Sequence, residues 1–458
     1  MQETIGLQPP VAILPTAQLR RVFGMVFALA IAIGSTIGGG ILHTPGDIAA
    51  LLPGVPWFFA VWVLGGLNAL LGATAFSELG AMMPCAGGPY VFVRRALGNY
   101  AGFFLGYVNW IQKCAVNAAL ALLIGEYSGA LFPAISGNPA AVAFGVLIAL
   151  VAISWYQVRL GGWMQSATTL VKVLGLGALV VAAFVLPHPS GGHGAAALAP
   201  LLRPTLITTL ALALQSVFFS YNGYQNAVYF GEELRDPGSE IPRSMFRSLA
   251  LIIALYLLLN AAFLWVIPYS QLAHDPFAGG SVARILFGTR GNLLITVTVI
   301  VSVLGTVNSG ILAAPRIALD MSRDRMLPPQ ATHINHGGTP DVALAVSALV
   351  MFAFLFSGTF AVALQVAVSL MVVQYASMFV SVFVLRRREP DAPRPYRSWG
   401  YPWTTAVGLL VSFAFLCGVA LADIRHSLIA LLLLIVSYPL YRVLAALQGS
   451  TPIPRSGP

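Results

Sequence analysis

The stretch IAIGSTIGGGILHTPG, residues 31–46, sits inside an apolar run long enough to cross a bilayer and carries glycine at 34, 38, 39, 40 and 46. Glycine is among the weakest helix formers, so a membrane segment with three in a row is built to lose its helix near the middle. The backbone groups released there find no hydrogen-bond partner in hydrocarbon; they must line a cavity or meet another part of the protein. A second apolar run carries a similar interruption in FFSYNGYQN, residues 218–226.

Composition places the whole chain in a bilayer. Of its 458 residues, 58% are hydrophobic and 9% are charged, whereas about a quarter are charged in soluble domains. Windows of about 20 apolar residues predict an all-α integral membrane fold of twelve spans, with spans 1 and 6 discontinuous. Broken helices at matching places in two halves mark inverted-repeat transporters with a site near the midplane. The predicted division is a cytoplasmic tail (1–18), a first five-helix repeat (19–187), a second, inverted repeat (203–388), two added helices (401–446) and a C-terminal tail (447–458).

The net charge of +9 invites a nucleic-acid partner, but the positions of the charges overrule it. Counted by alternate loops, 18 arginines fall on one side, and only Arg203, Arg284, Arg290 and Arg425 on the other. Positive residues stay inside, so both termini are expected in the cytoplasm and the chain in the cell (inner) membrane. Cys85, Cys114 and Cys417 are odd in number and widely spaced, which indicates neither a disulfide framework nor a zinc site. The histidines make no HxxxH or HExxH spacing, and no repeated filter element or ring of like charge suggests a channel. No metal, cofactor or enzymatic activity is expected.

The lysines are the sharpest polar signal. Lys113 and Lys172 are the only two, and both fall within predicted spans, where a charge is costly and faces a cavity or a partner. Lys172 lies too deep to snorkel to an interface. Lys113, in NWIQKCAVNAAL, precedes Asn117 by one helical turn on the same face. A cation in a binding pocket would repel arginine, lysine and polyamines. Weaker signals are Glu78 and Glu126, expected to be hydrated at helix ends, Asn308, expected to bridge helices, and His43, expected to be a polar wall.

Six segments in order, IGGGIL, FSELGAMMPCAGGPYVFVRRALG, GGWMQSATTLVKVLGL, FFSYNGYQNAVYFGEELRDPGSEIPRSM, LGTVNSGILAAPRIALDMSRDRMLP and LRRREPDAPRPYRSWGYP, resemble those of the amino acid/polyamine/organocation transporter superfamily. The chain is similar to its bacterial L-amino-acid-transporter-like branch. The resemblance implies a LeuT-type core of five plus five inverted helices, alternating access and an amino acid substrate. It also implies that Lys172 stands where sodium-coupled relatives hold their ion. The expected activity is sodium-independent exchange of small or polar neutral L-amino acids. Proton symport, with acidic amino acids among the substrates, stays open, as does a transporter-like sensor without flux. Eukaryotic members pair with a heavy-chain subunit; nothing in this chain indicates one.

An amino acid carries a carboxylate and an ammonium, and its site must replace the water both lose. The amides of Gly38, Gly39 and Gly40, opening a half-helix, are expected to receive the carboxylate; the family often has serine where this chain has Gly39. Carbonyls of Ile33, Phe218, Phe219 and Tyr221 are expected to receive the ammonium. Phe219 matches the family's aromatic gate, and Asn222 and Gly223 form the break. Gln112, Lys113, Asn117 and Leu120 are expected around the substrate side chain, with Lys172 bracing the first break from behind.

Overall fold

The first broken segment appears in the computed structural model as α1 (Met25–Thr36) and α2 (Gly40–Leu51), inclined at 41° to each other. The structure describes residues 19–38, 40–132, 137–187, 206–357, 360–422 and 424–447. Gly39, the N-terminal tail 1–18 and residues 448–458 of the C-terminal tail lie outside them.

Helices account for nearly all the rest: α3 (Val55–Met82), α4 (Pro89–Leu97), α5 (Asn99–Leu131), α6 (Pro139–Tyr156), α7 (Val158–Val185), α8 (Leu206–Ser220), α9 (Pro237–Val266), α10 (Tyr269–Leu272), α11 (Ala278–Phe287), α12 (Thr289–Arg323), α13 (Asp341–Ser357), α14 (Phe360–Arg388), α15 (Trp403–Ala422) and α16 (Ile424–Leu447). Among the described residues, seven of these are long and apolar enough to cross a bilayer, namely α3, α5, α6, α7, α9, α12 and α14, and the bent pair α1 and α2 makes an eighth. α11, α13 and parts of α15 and α16 are shorter apolar helices. The second broken segment is α8, a turn at 221–223, and a 3-10 helix over Tyr224–Phe230.

Why α1 stops where it does is visible in its neighbour α7. A Cβ on Gly34 would lie 2.2 Å from Thr169 Oγ1 and 2.3 Å from Gln165 Nε2, so the glycine allows α7 to press polar side chains onto the backbone of α1. Gln165 Nε2 and Thr169 Oγ1 both donate to Ala30 O, at 3.3 and 2.9 Å. Lys172, on the same face of α7, reaches the carbonyls beyond. Asn308 of α12 bridges helices as its sequence suggests, donating to Gly161 O and Gln165 Oε1 at 3.0 Å each.

Around the start of α5 the molecule is closed by ion pairs. Arg316 forks onto Glu233, at 2.5 and 2.9 Å, with both side chains almost wholly buried. Arg323 reaches Glu232 and Asp320, and Arg94 reaches Asp324. Tyr90 donates to Asp324 at 2.9 Å; burial and the Asp324 carboxylate push its phenol well above the usual range, so it stays a donor. Backbone pairing adds to the seal: Phe23 N donates to Glu233 O, and Arg235 N to Phe23 O, each at 3.0 Å. Arg94 also bonds Asn99, the first residue of α5, which places the seal at that end of the helix.

Glu78 departs from expectation. It is 1% exposed rather than hydrated, and accepts from Arg386 at 2.8 and 2.7 Å and from Ser398 N at 2.7 Å. It therefore ties α3 to α14 and the loop beyond, as a buried carboxylate must when it keeps its charge.

Candidate substrate site

Between the two interruptions lies a cavity of about 500 Å³, within the range typical of small-molecule sites. Its wall includes Ser35, Thr36, Gly38, Gly40 and Ile41 from the first break, and Phe219, Ser220, Asn222 and Gly223 from the second. Helix α5 supplies a long face from Asn109 to Glu126, and α12 supplies Thr306 and Gly310. Of the residues expected from sequence, Gly38, Gly40, Gln112, Lys113, Asn117, Leu120, Phe219, Asn222 and Gly223 all line this one cavity. Gly39 lies outside the described residues.

The others stand elsewhere. Phe218 meets Tyr375 edge-on and Phe415 at a tilt, and Tyr221 meets Trp62 edge-on and Tyr256 at a tilt. One step along a helix turns a side chain by about 100°, so Phe218 faces the protein while Phe219 faces the cavity. Ile33 is buried off the wall, and its carbonyl accepts from Ile37 N at 2.8 Å. Gly38 lines the cavity, yet its N–H donates to Thr36 O at 2.9 Å. Gly40 opens α2, where first-turn amides have no acceptor within the helix; Ile41 and Leu42 belong to the same turn.

The freed carbonyls of the first break are met mainly from one side. Lys172 Nζ, completely buried, donates to Gly34 O at 2.8 Å, Ile37 O at 2.7 Å and Ser302 O at 2.8 Å. An ammonium has three N–H donors, and all three are used. Ser302 and Thr306 hydroxyls add bonds to Ile37 O and Gly34 O. Lys172 is absent from the cavity wall and holds the break from outside it.

Tyr256 of α9 joins the two interruptions. Its hydroxyl lies 3.2 Å from Thr36 O and 3.1 Å from Ser220 O, sharing one hydrogen between the carbonyl ends of α1 and α8. Gly223, at φ 134°, brings the second break directly onto the first; this is a region L side chains avoid. Its N–H donates to Gln225 Oε1, and Gln225 Nε2 donates to Asn222 Oδ1, so the turn is held by its own side chains.

On the far wall, Lys113 Nζ donates to Asn226 Oδ1 at 3.0 Å and stands 4.5 Å from the centre of the Tyr229 ring. Asn226 in turn reaches Ser309, which contacts Ser35. Sequence patterns did not single out Ser35, Asn109, Asn226, Tyr229, Tyr256 or Thr306. Tyr229 and Tyr256 read as membrane packing, and the others have no local motif. His43 is absent from the cavity lining; its ring nitrogens meet Pro276 O and the Tyr127 hydroxyl, at 2.8 Å each.

Chemically the arrangement offers helix-start amides at one edge, helix-end carbonyls at another and a cation opposite. The model of the amino acid permease family matches residues 23–438. The chain is 27% identical to the serine/threonine exchanger SteT of Bacillus subtilis (strain 168) over 429 residues, 92% of this chain and 96% of that one. It is 32% identical to an uncharacterized transporter of Mycobacterium tuberculosis (strain ATCC 25618 / H37Rv) over 320 residues, 68% of each. It is 25% identical to the Homo sapiens large neutral amino acids transporter small subunit 2 over 389 residues, 83% of this chain and 72% of that one. These relatives are transporters, not enzymes. With two interrupted helices facing one cavity and a match that spans both, the chain belongs to the amino acid permease family of the amino acid/polyamine/organocation superfamily.

Proposed function

We propose that the chain is a sodium-independent exchanger of L-amino acids, small or polar neutral ones first, working by alternating access. The observation that carries this is the single cavity walled by the start of α2 and the end of α8. The positive end of one half-helix and the negative end of another suit the two charges of an amino acid. On this assignment Gly40 and the amides after it hold the carboxylate, with Gly39 as a further candidate, while the Gly38 N–H is taken by Thr36 O and Gly38 contributes wall only. The carbonyl end of α8 at Phe219 holds the ammonium, and the Phe219 ring, 44% exposed, covers the bound molecule.

The architecture proposed is the twelve-span, five-plus-five inverted repeat, with both termini cytoplasmic. One relative named above is an exchanger of serine and threonine, which favours exchange and a small substrate. Lys172, saturated by three carbonyls, supports independence from sodium because its ammonium already supplies the positive charge at the break. The ion-paired seal near the start of α5 and the cavity reaching Glu126 toward its other end fit one state of an alternating-access cycle.

The test is uptake of a labelled amino acid panel into proteoliposomes, with and without internal amino acid, sodium and a pH gradient. Uptake that requires internal amino acid and ignores sodium is the expected result. A sodium requirement overturns the assignment of Lys172, acid-driven uptake into empty vesicles replaces exchange by proton symport, and binding without flux leaves a sensor.

A further inference from the structure

The exchange function rests on the part common to all amino acids; the wall around Lys113 speaks to the side chain. Asn109, Lys113 and Asn117 follow one another at four-residue intervals on α5, hence along one face, and all three line the cavity. No ion pair among the described residues includes Lys113. Glu126, the acidic residue on the wall, is 13 residues further along the helix, about 20 Å at 1.5 Å per residue. The cation therefore faces the cavity with a ring and an amide beside it and no counter-charge.

Its two neighbours are in a matching condition. Asn109 and Asn117 are each 2% exposed, yet neither amide atom of Asn109 and not the Asn117 Nδ2 has a hydrogen-bond partner. Buried polar groups in folded proteins are normally paired, so unpaired ones on residues that line a cavity point to something that enters it. Lys113 uses one of its N–H groups on Asn226, which leaves two more. Together the three residues place two unpaired amide NH2 groups, on Asn109 and Asn117, and one unpaired amide oxygen, on Asn109, along the helix face that carries the positive charge.

We propose that this wall is a subsite for an anionic side chain, which makes acidic L-amino acids substrates of the exchanger. A carboxylate accepts only, at about four lone-pair positions, and meets both the charge and the donors. A hydroxyl side chain meets part of the donors and none of the charge. Asn226, steadied by Ser309, holds the ammonium in place to receive the anion. An inorganic anion has the same chemistry, so the experiment separates the two.

Purified full-length protein in proteoliposomes loaded with L-serine is assayed for inhibition of labelled L-serine uptake by L-aspartate, L-glutamate, L-asparagine and L-glutamine, in chloride and in gluconate. In parallel, the thermal shift that each ligand gives the detergent-solubilised protein is measured, which needs no transport. The wild type is expected to be inhibited and stabilised by at least one acid in both salts. Lys113→Gln is expected to weaken that acid by about 10- to 100-fold relative to its amide, the size expected of a charge-assisted contact, and Lys113→Arg to weaken it less. An unchanged acid-to-amide ratio in Lys113→Gln overturns the proposal. So does failure of both acids in the wild type by either readout, or an effect of chloride alone. Should serine not be exchanged at all, the general function falls while the thermal shift still decides this subsite.

Discussion

The backbone of Gly223 lies so close to that of Ser35 that a Cβ built on the glycine would fall 2.6 Å from the serine carbonyl carbon and oxygen. Two interrupted segments, 188 positions apart by the difference of those numbers, thus meet backbone to backbone. Gly223→Ala must both push them apart and adopt φ 134°. A loss of about 2–4 kcal/mol in stability is expected, with uptake below a tenth of wild type. Thermal unfolding in detergent and counterflow measure the two; normal values in both would show that the contact yields freely.

Lys172→Ala removes the partner of three carbonyls at once. Each of the three keeps a hydroxyl donor, from Ser302 or Thr306, so the cost per carbonyl stays below the about 1–3 kcal/mol of a fully unpaired group. Exchange is expected to fall at least tenfold while the purified variant remains monodisperse on size exclusion. A variant that exchanges at the wild-type rate would sink the bracing role.

Tyr256→Phe is a gentler probe of the link between the breaks. The ring keeps its contacts with Trp62 and Tyr221, and only the hydroxyl shared by Thr36 O and Ser220 O is lost. Stability should drop by about 1 kcal/mol. Exchange should slow more than that figure suggests, because α1 and α8 lose their common tether; equal rates for variant and wild type would remove Tyr256 from the mechanism.

Glu233→Gln leaves the Arg316 guanidinium buried without its carboxylate, which costs about 3–5 kcal/mol when such a pair is broken from one side. The double variant Glu233→Gln, Arg316→Met should recover part of the loss. A double-mutant cycle on thermal stability checks this, and strict additivity of the two changes would contradict the pairing.

Phe219→Ala tests the gate. Because the ring is 44% exposed, stability should change by less than about 1 kcal/mol. The half-saturation constant for uptake is expected to rise severalfold, and an unaltered constant would mean the ring does not cover the substrate.

How far the sequence was legible depends on whether a feature was local. The glycines at 34 to 40 and the Asn222-Gly223 pair announce broken helices through backbone conformation alone. Lys172 announces itself because a lone cation deep in a span needs partners. Tyr256 gives no such notice: ALYLLLN reads as packing, and its hydroxyl matters only once α9 lies across both breaks. Glu78 looks hydrated in the sequence because its partner Arg386 is 308 positions away. The side chains of Ile33, Phe218 and Tyr221 are less legible: they are absent from the cavity wall because α1 persists to Thr36 and α8 to Ser220 and helical rotation, not local sequence, decides which side chain faces it.

Lys172 has a consequence for energetics of the whole cycle. Its ammonium is fastened to the chain by a covalent stem and so cannot dissociate into either compartment. A charge that never leaves cannot be drawn down an ion gradient, so on the proposed assignment the break it braces takes no drive from sodium. For an obligatory exchanger swapping amino acids of equal charge, net direction then follows only the amino acid ratios on the two faces of the membrane. Such a protein equalises pools of its substrates and does not accumulate all of them together.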